Sequence, residues 1–256
     1  MSQPGARDGS CRIGVAVALA AMVFTRIRGA IPAYVDLHRW LATAGLPDEV
    51  RNLDGPLLML AGAIVGAMIA SPQPATDLGW RGRALRGVRL GLLFSLPMLL
   101  VSAITGGGLR LDTSVLRGAL LAPVVEETFF RGLLIAVVVR TTGRSFWPIA
   151  VVSSLLFGSI HVPWNASLDL HHLGPFSITA VGGLWYAWLL RQHGWNLWLV
   201  VALHAGMNAA WLVFAVGGGA VGSGLWPNIG RGLTIVLGTV WTLRMRRRRV
   251  ALAVAN

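Results

Sequence analysis

In a chain of 256 residues, 55% are apolar, only 12% are charged and mean hydropathy is +0.65; a soluble domain usually carries about twice that charged fraction. A bilayer crossing takes about 20 mostly apolar residues, so the length allows about eight or nine helical spans and excludes a sizeable soluble domain. All 22 basic residues are arginine and the net charge is +12, yet the arginines lie between apolar runs, not on one amphipathic face. That placement fits topology control beside anionic headgroups and argues against a nucleic-acid partner.

The pattern predicts an all-α, polytopic transmembrane helix bundle of about eight spans. Apolar runs fall near 13–31, 57–71, 88–105, 115–139, 146–163, 173–190, 196–216 and 229–243. The stretch from Ile13 to Phe24 has the length of a signal-peptide core. It ends in Thr25-Arg26-Ile27-Arg28 with no small-residue cleavage site, so it reads as an uncleaved first span. Cys11 precedes that run and is the only cysteine; an intrachain disulfide and a cysteine zinc cage are excluded, and a lipoprotein cleavage cysteine is not placed there. Between Pro32 and Gly55, four acids make a solvated connection with a short interfacial helix around Val35 to Ala44. Ser71-Pro72-Gln73-Pro74 is a turn, followed by Arg81, Arg83, Arg86 and Arg89. The chain divides into N-terminal spans with a connecting loop (1–114), a helical core carrying the chemistry (115–216), and a last span with a basic tail (217–256).

With eight spans both termini share a side. Placing them in the cytoplasm puts 14 arginines inside and seven outside, with Arg131 within a span; a two-to-one bias supports that orientation in a cytoplasmic membrane. The run from Arg244 to Arg249, directly after a span, reads as a topology anchor. Trp147, Trp164, Trp195, Trp198 and Trp226 stand near span ends, where amphipathic rings favour the interface. Gly106–Gly108 and Gly217–Gly219 read as loop or cap material, and neither makes a phosphate loop. Asn165-Ala166-Ser167 is a glycosylation sequon only in a secretory-pathway host.

Three spans carry unusual polarity. The fourth contains Glu126, Glu127 and Arg131 within six residues. A central charged residue costs roughly 2.5–3.5 kcal/mol on insertion scales, so a carboxylate there needs a partner or a proton. Glu127 and Arg131 are four apart on one face with the acid N-terminal, the favourable order. Glu126 is rotated by about 100°, and two acids with one base leave it available for acid–base work in an apolar cavity. An ion pair that only locks packing is the plainer reading of Glu127–Arg131.

In the fifth span Phe157 and His161 lie one turn apart; alone, such a histidine is often just an interfacial polar group. In the seventh, His204 and Asn208 share a face, and small neighbours Ala205, Gly206 and Ala209 let another helix approach; an interhelical hydrogen-bonding pair is the competing reading. Together the spans supply two acids, one base, two imidazoles and an amide, an inventory suited to water activation and oxyanion stabilisation. A serine nucleophile paired to a base and an H-E-x-x-H zinc motif are both missing. His171 and His172 fall in the loop after the fifth span.

The ordered set Glu126-Glu127-x-x-x-Arg131, Phe157-x-x-x-His161 and His204-x-x-x-Asn208 resembles the CPBP family, the CAAX-protease and bacteriocin-processing (Abi) intramembrane peptidases. Residues 115–213 carry the likeness, and Gly132 follows the arginine as the family usually has it. The resemblance implies an all-helical catalytic core in which Glu126 and His161 activate water, His204 and Asn208 hold the oxyanion, and Glu127 with Arg131 orient the site. It also implies a peptide or protein substrate, with a maturing peptide, a bacteriocin precursor or a membrane regulator all open. Glu126, His161 and His204 form a candidate zinc set with an open water position; direct general-base chemistry by the same residues stands beside it. On the assigned topology His161 lies near the outer end of its span, so either the cavity opens outward or the loop assignment shifts by part of a helix. A proton- or metal-coupled transporter is a second reading, although the polar positions cluster in spans four, five and seven and no inverted repeat is visible. A non-catalytic immunity or scaffold protein is a third. The arginine-only, alanine- and glycine-rich composition suggests a high-GC bacterial source.

Overall fold

The eight apolar runs all fall on helices, because in hydrocarbon a backbone must satisfy its own polar groups and a helix does so within one segment. The computed structural model describes residues 4–163, 170–216 and 224–255; Trp164, the Asn165–Ser167 sequon and Gly217–Gly219 lie outside the described residues. Among the described residues the main helices are α1 (Pro4–Ile27), α2 (Pro32–Thr43), α3 (Asp54–Ala70), α4 (Ala84–Thr105), α5 (113–142), α6 (Phe146–Ser159), α7 (Leu170–Gln192), α8 (Leu197–Leu212) and α9 (Leu225–Ala255), and they contain no strand. Four helical segments are each long and apolar enough to cross a membrane: Arg7–Ala30, Asp48–Ala70, Ala84–Thr105 and His172–Gln192. The molecule is an integral membrane helix bundle.

Several boundaries differ from the expectation. Helix α1 begins nine residues before the apolar run, supported by the ion pair of Asp8 with Arg12 one turn on. His171 and His172 sit in the first turn of α7, not in a loop. Helix α9 runs through the arginine run to Ala255, so the basic segment is helix and not a tail. Helices α6 and α8, of 14 and 16 residues, rise only about 21 and 24 Å, short of the roughly 30 Å hydrocarbon thickness.

The chain forms two units, Met1–Leu78 with Val124–Gly183, and Gly79–Pro123 with Leu184–Asn256. In the first, α1 packs along α3, with the π-helical stretch of α5 against α3 and α6. Small residues make the α1–α3 seam. A methyl group on Gly62 would meet Ala21 at 2.6 Å, and one on Gly66 would meet Ala18 at 3.3 Å, so the pair Gly62-x-x-x-Gly66 lets the backbones close without steric cost. Helix α2 has no buried residue and is tied down by a polar network. Arg28 Nε donates to the Tyr34 hydroxyl at 2.8 Å, that hydroxyl donates to Asp54, and His38 Nε2 lies 3.3 Å from the same carboxylate.

In the second unit α4 packs against α8 and α9. The backbone N–H of Met98 reaches Thr234 Oγ1 at 3.3 Å, and Trp185 Nε1 donates to Thr239 Oγ1 at 3.0 Å. The glycine loop after α4 caps as expected: Gly107 N–H donates to Phe214 O at 3.1 Å and Arg110 N–H to Val213 O at 2.7 Å. Met98, Ala210, Trp211 and Val216 form an apolar cluster there. Trp147 and Trp226 are exposed at helix starts, as interfacial rings should be.

Candidate active site

Helix α5 is irregular where the chemistry lies. Arg117–Leu121 and Thr128–Val137 are π-helical, on either side of Ala122–Glu127. Pro123 has no N–H to close onto the preceding turn, and the wider turn stands directly before it. Such π segments recur at functional positions because they re-aim side chains and release backbone carbonyls.

In the first unit Glu127 Oε1 and Arg131 Nη1 are 3.2 Å apart, with side chains 0% and 1% exposed. The pair anticipated from the i, i+4 spacing therefore forms, in surroundings where charges interact strongly. The Arg131 guanidinium also lies over the Phe157 ring at 4.1 Å, close enough for a cation–π attraction. Phe157 in turn sets its edge against Phe130 at 5.1 Å and against His161 at 4.7 Å. Ser153 Oγ donates to Phe130 O at 2.9 Å, joining α6 to α5. Gly183 of α7 makes room for the cation, since a methyl group there would meet Arg131 Nη2 at 2.9 Å and Phe157 at 3.3 Å. Glu126, next to this buried pair, is only half-buried.

His161 lies just beyond the end of α6 and is exposed. Its Nδ1 is 2.8 Å from Phe157 O. A carbonyl only accepts, so Nδ1 carries the hydrogen in the neutral ring and Nε2 is the basic nitrogen. Arg26 braces the same turn from α1, donating from Nη1 to Ile160 O at 2.9 Å and from Nη2 to Val162 O at 2.6 Å. The carbonyls on both sides of His161 are thereby held. This contact joins residues more than 130 positions apart, and no local spacing signals it. Helix α6 starts beside Trp147 and rises about 21 Å. That is about 9 Å less than the hydrocarbon thickness.

His204 and Asn208 belong to the second unit. His204 is buried, and the Tyr186 ring stands edge-on to it at 5.7 Å; the Tyr186 hydroxyl donates to Met207 Sδ at 3.1 Å. Asn208 is half-buried, and its Nδ2 donates to Gly118 O at 2.9 Å, a carbonyl in the first π turn. One N–H of that amide remains for a further acceptor. Gly118 permits the approach: a methyl group there would meet Leu212 Cδ1 at 2.7 Å. Tyr186, Gly118 and Gly183 belong to no motif; the paired glycines 182–183 in an apolar run are the signal that could have marked a close approach.

Of the candidate zinc ligands, Glu126 and His161 lie in the first unit and His204 in the second. Within neither unit do three His, Cys, Asp or Glu side chains gather at metal-binding distance among the described residues. Among the described residues His172 adds no such group.

No curated protein matches the chain significantly, and no solved structure does. Residues 111–210 match the family model described as type II CAAX prenyl endopeptidase Rce1-like. That interval takes in both π turns, the buried Glu127–Arg131 pair, Glu126, His161, His204 and Asn208. The family is one of proteases, and the transporter and scaffold readings gain no support from it. Over residues 111–210, about two-fifths of its length, the chain is similar to the Rce1-like CAAX-type endopeptidases.

Proposed function

We propose that the chain is an intramembrane endopeptidase hydrolysing a peptide bond near the membrane surface, with Glu126 as general base. The observation that carries the reading is the division of labour between adjacent carboxylates. Glu127 is sealed in an ion pair with Arg131, whereas Glu126 keeps access to solvent. One acid is sealed from water and the other is within its reach.

The water is oriented by His161 Nε2 and gives its proton to Glu126, and the oxygen attacks the scissile carbonyl. His204, through its ring N–H, and Asn208, through its second amide hydrogen, donate to the oxyanion. The proton on Glu126 then passes to the departing amine nitrogen, which leaves Glu126 ionised for the next turnover. Glu127 and Arg131 position this machinery and make no bond to substrate. Zinc, if held by Glu126, His161 and His204, would supply a water of lowered pKa. The substrate is a membrane-proximal peptide, with the prenylated CAAX tail of the family's name as one member of that class.

Asn208→Ala tests the oxyanion role. Removing one such donor lowers kcat by about 10²–10³ with little effect on KM. If Asn208→Ala raises KM and leaves kcat intact, the residue holds helices and not the transition state.

A further inference from the structure

The net charge belongs to one unit. The second unit contains 13 of the 22 arginines and a single acid, Asp112, and so carries +12; the first contains nine arginines and nine acids and is neutral. Within the second unit the charge is concentrated again. The start of α4 and the distal half of α9 enclose a cleft of about 890 Å³ edged by Arg83, Arg86, Arg89, Arg244 and Arg248. No carboxylate lines it, and none of the five is in a salt bridge among the described residues.

The two helices run antiparallel here: Met98 meets Thr234, and one turn nearer the cleft Phe94 stands 6.4 Å from Trp241. On α9 the lining residues Trp241, Arg244, Met245 and Arg248 recur at helical spacing and form one stripe. Arg246 and Arg247, in the same run, point elsewhere and do not line it. On α4 the lining residues again alternate arginine with leucine: Leu85, Arg86, Arg89 and Leu90. The cleft thus has cationic edges and an apolar lining of Leu85, Leu90, Trp241 and Met245, with Trp241 45% and Leu85 63% exposed. A run of arginines that served only as a topology anchor would need neither the second helix nor the apolar walls.

We propose that this cleft binds an anionic phospholipid, its phosphodiester headgroup held by Arg86, Arg89, Arg244 and Arg248 and the top of an acyl chain laid against Leu85, Leu90, Trp241 and Met245. Five guanidiniums around one cavity repel one another, and a headgroup phosphate relieves that while the chain covers exposed apolar surface. The field also registers on a neighbour. His193, beside α9, has its pKa lowered to about 4, by burial first and then by Arg249 and Arg86. A free phosphate shares the headgroup chemistry but leaves the apolar walls bare, so the lipid is the favoured source.

The test is lipid retention by the purified full chain in mild detergent, read by native mass spectrometry with phosphatidylglycerol and phosphatidylcholine of equal chain length. The wild type should retain phosphatidylglycerol selectively. Each arginine near an anionic headgroup is worth roughly five-fold in binding, so Arg86→Gln/Arg244→Gln should weaken retention by about 25-fold. Arg246→Gln/Arg247→Gln removes equal charge from the same surface and should leave retention unchanged. Equal losses in the two double variants would overturn the proposal, because bulk charge would then explain binding. Equal retention of the two lipids by the wild type would overturn it without recourse to any variant. Displacement of the lipid by millimolar inorganic phosphate would reassign the cleft to a soluble anion.

Discussion

Removing one partner of the Glu127–Arg131 pair strands the other in a site from which water is excluded. Both side chains are at most 1% exposed and their charged atoms are 3.2 Å apart. Breaking a buried pair from one side costs about 3–5 kcal/mol, whereas replacing both charges by neutral groups of similar volume is far less destabilising. Glu127→Gln should therefore destabilise by about 3–5 kcal/mol. Arg131→Met should lose a similar amount plus up to about 2 kcal/mol from the contact with Phe157. The double variant should fall short of the sum of the single losses by roughly 3 kcal/mol. The assay is reversible unfolding of all four proteins in mixed micelles, analysed as a double-mutant cycle. Additivity to within about 0.5 kcal/mol would refute the claim that the two charges hold each other in place, and with it the contrast that leaves Glu126 as the working acid.

Three further outcomes follow from the same geometry. Gly183→Ala pushes a methyl group to 2.9 Å from Arg131, so it should destabilise by about 1–3 kcal/mol and lower proteolysis; wild-type stability would place the guanidinium elsewhere. Arg26→Met frees the carbonyls flanking His161 and should lower kcat more than it changes KM, with Arg26→Lys recovering part of the loss; unchanged kinetics would show that the His161 turn holds itself. For His193, burial and two arginines lower the pKa from 6.5 to about 4. The unfolded chain then binds the extra proton between those values, so stability should be full above pH 6.5 and decline as pH falls towards 4. His193→Gln should flatten that window, as followed by unfolding midpoints across pH, and an unaltered slope would assign it to other groups.

The helices were legible because hydrocarbon leaves a chain few options, and runs such as 57–71 and 88–105 differ from their flanks in polarity. Glu127–Arg131 was legible because i, i+4 spacing on a helix is a local fact. What escaped reading joins distant segments. Arg26 reaches Ile160 and Val162, Tyr34 and His38 reach Asp54, and Asn208 reaches Gly118; nothing near any of these residues in sequence predicts its partner. The π turns escaped because Pro123 signals a break in helical hydrogen bonding but not that the turns around it widen. The arginine cleft was half visible: Arg244–Arg249 reads as a topology anchor and Arg81–Arg89 as part of the charge bias, but only the antiparallel packing of α4 and α9 shows that they face one cavity.

On the proposed mechanism Glu126 activates water for peptide hydrolysis. The direct measurement is cleavage of membrane-anchored reporter peptides, or of the native peptides that accumulate when the protein is deleted, by purified wild type and Glu126→Gln reconstituted in vesicles. Glu126→Gln should unfold at the wild-type midpoint and fail to cleave. Cleavage by that variant at the wild-type rate would contradict it.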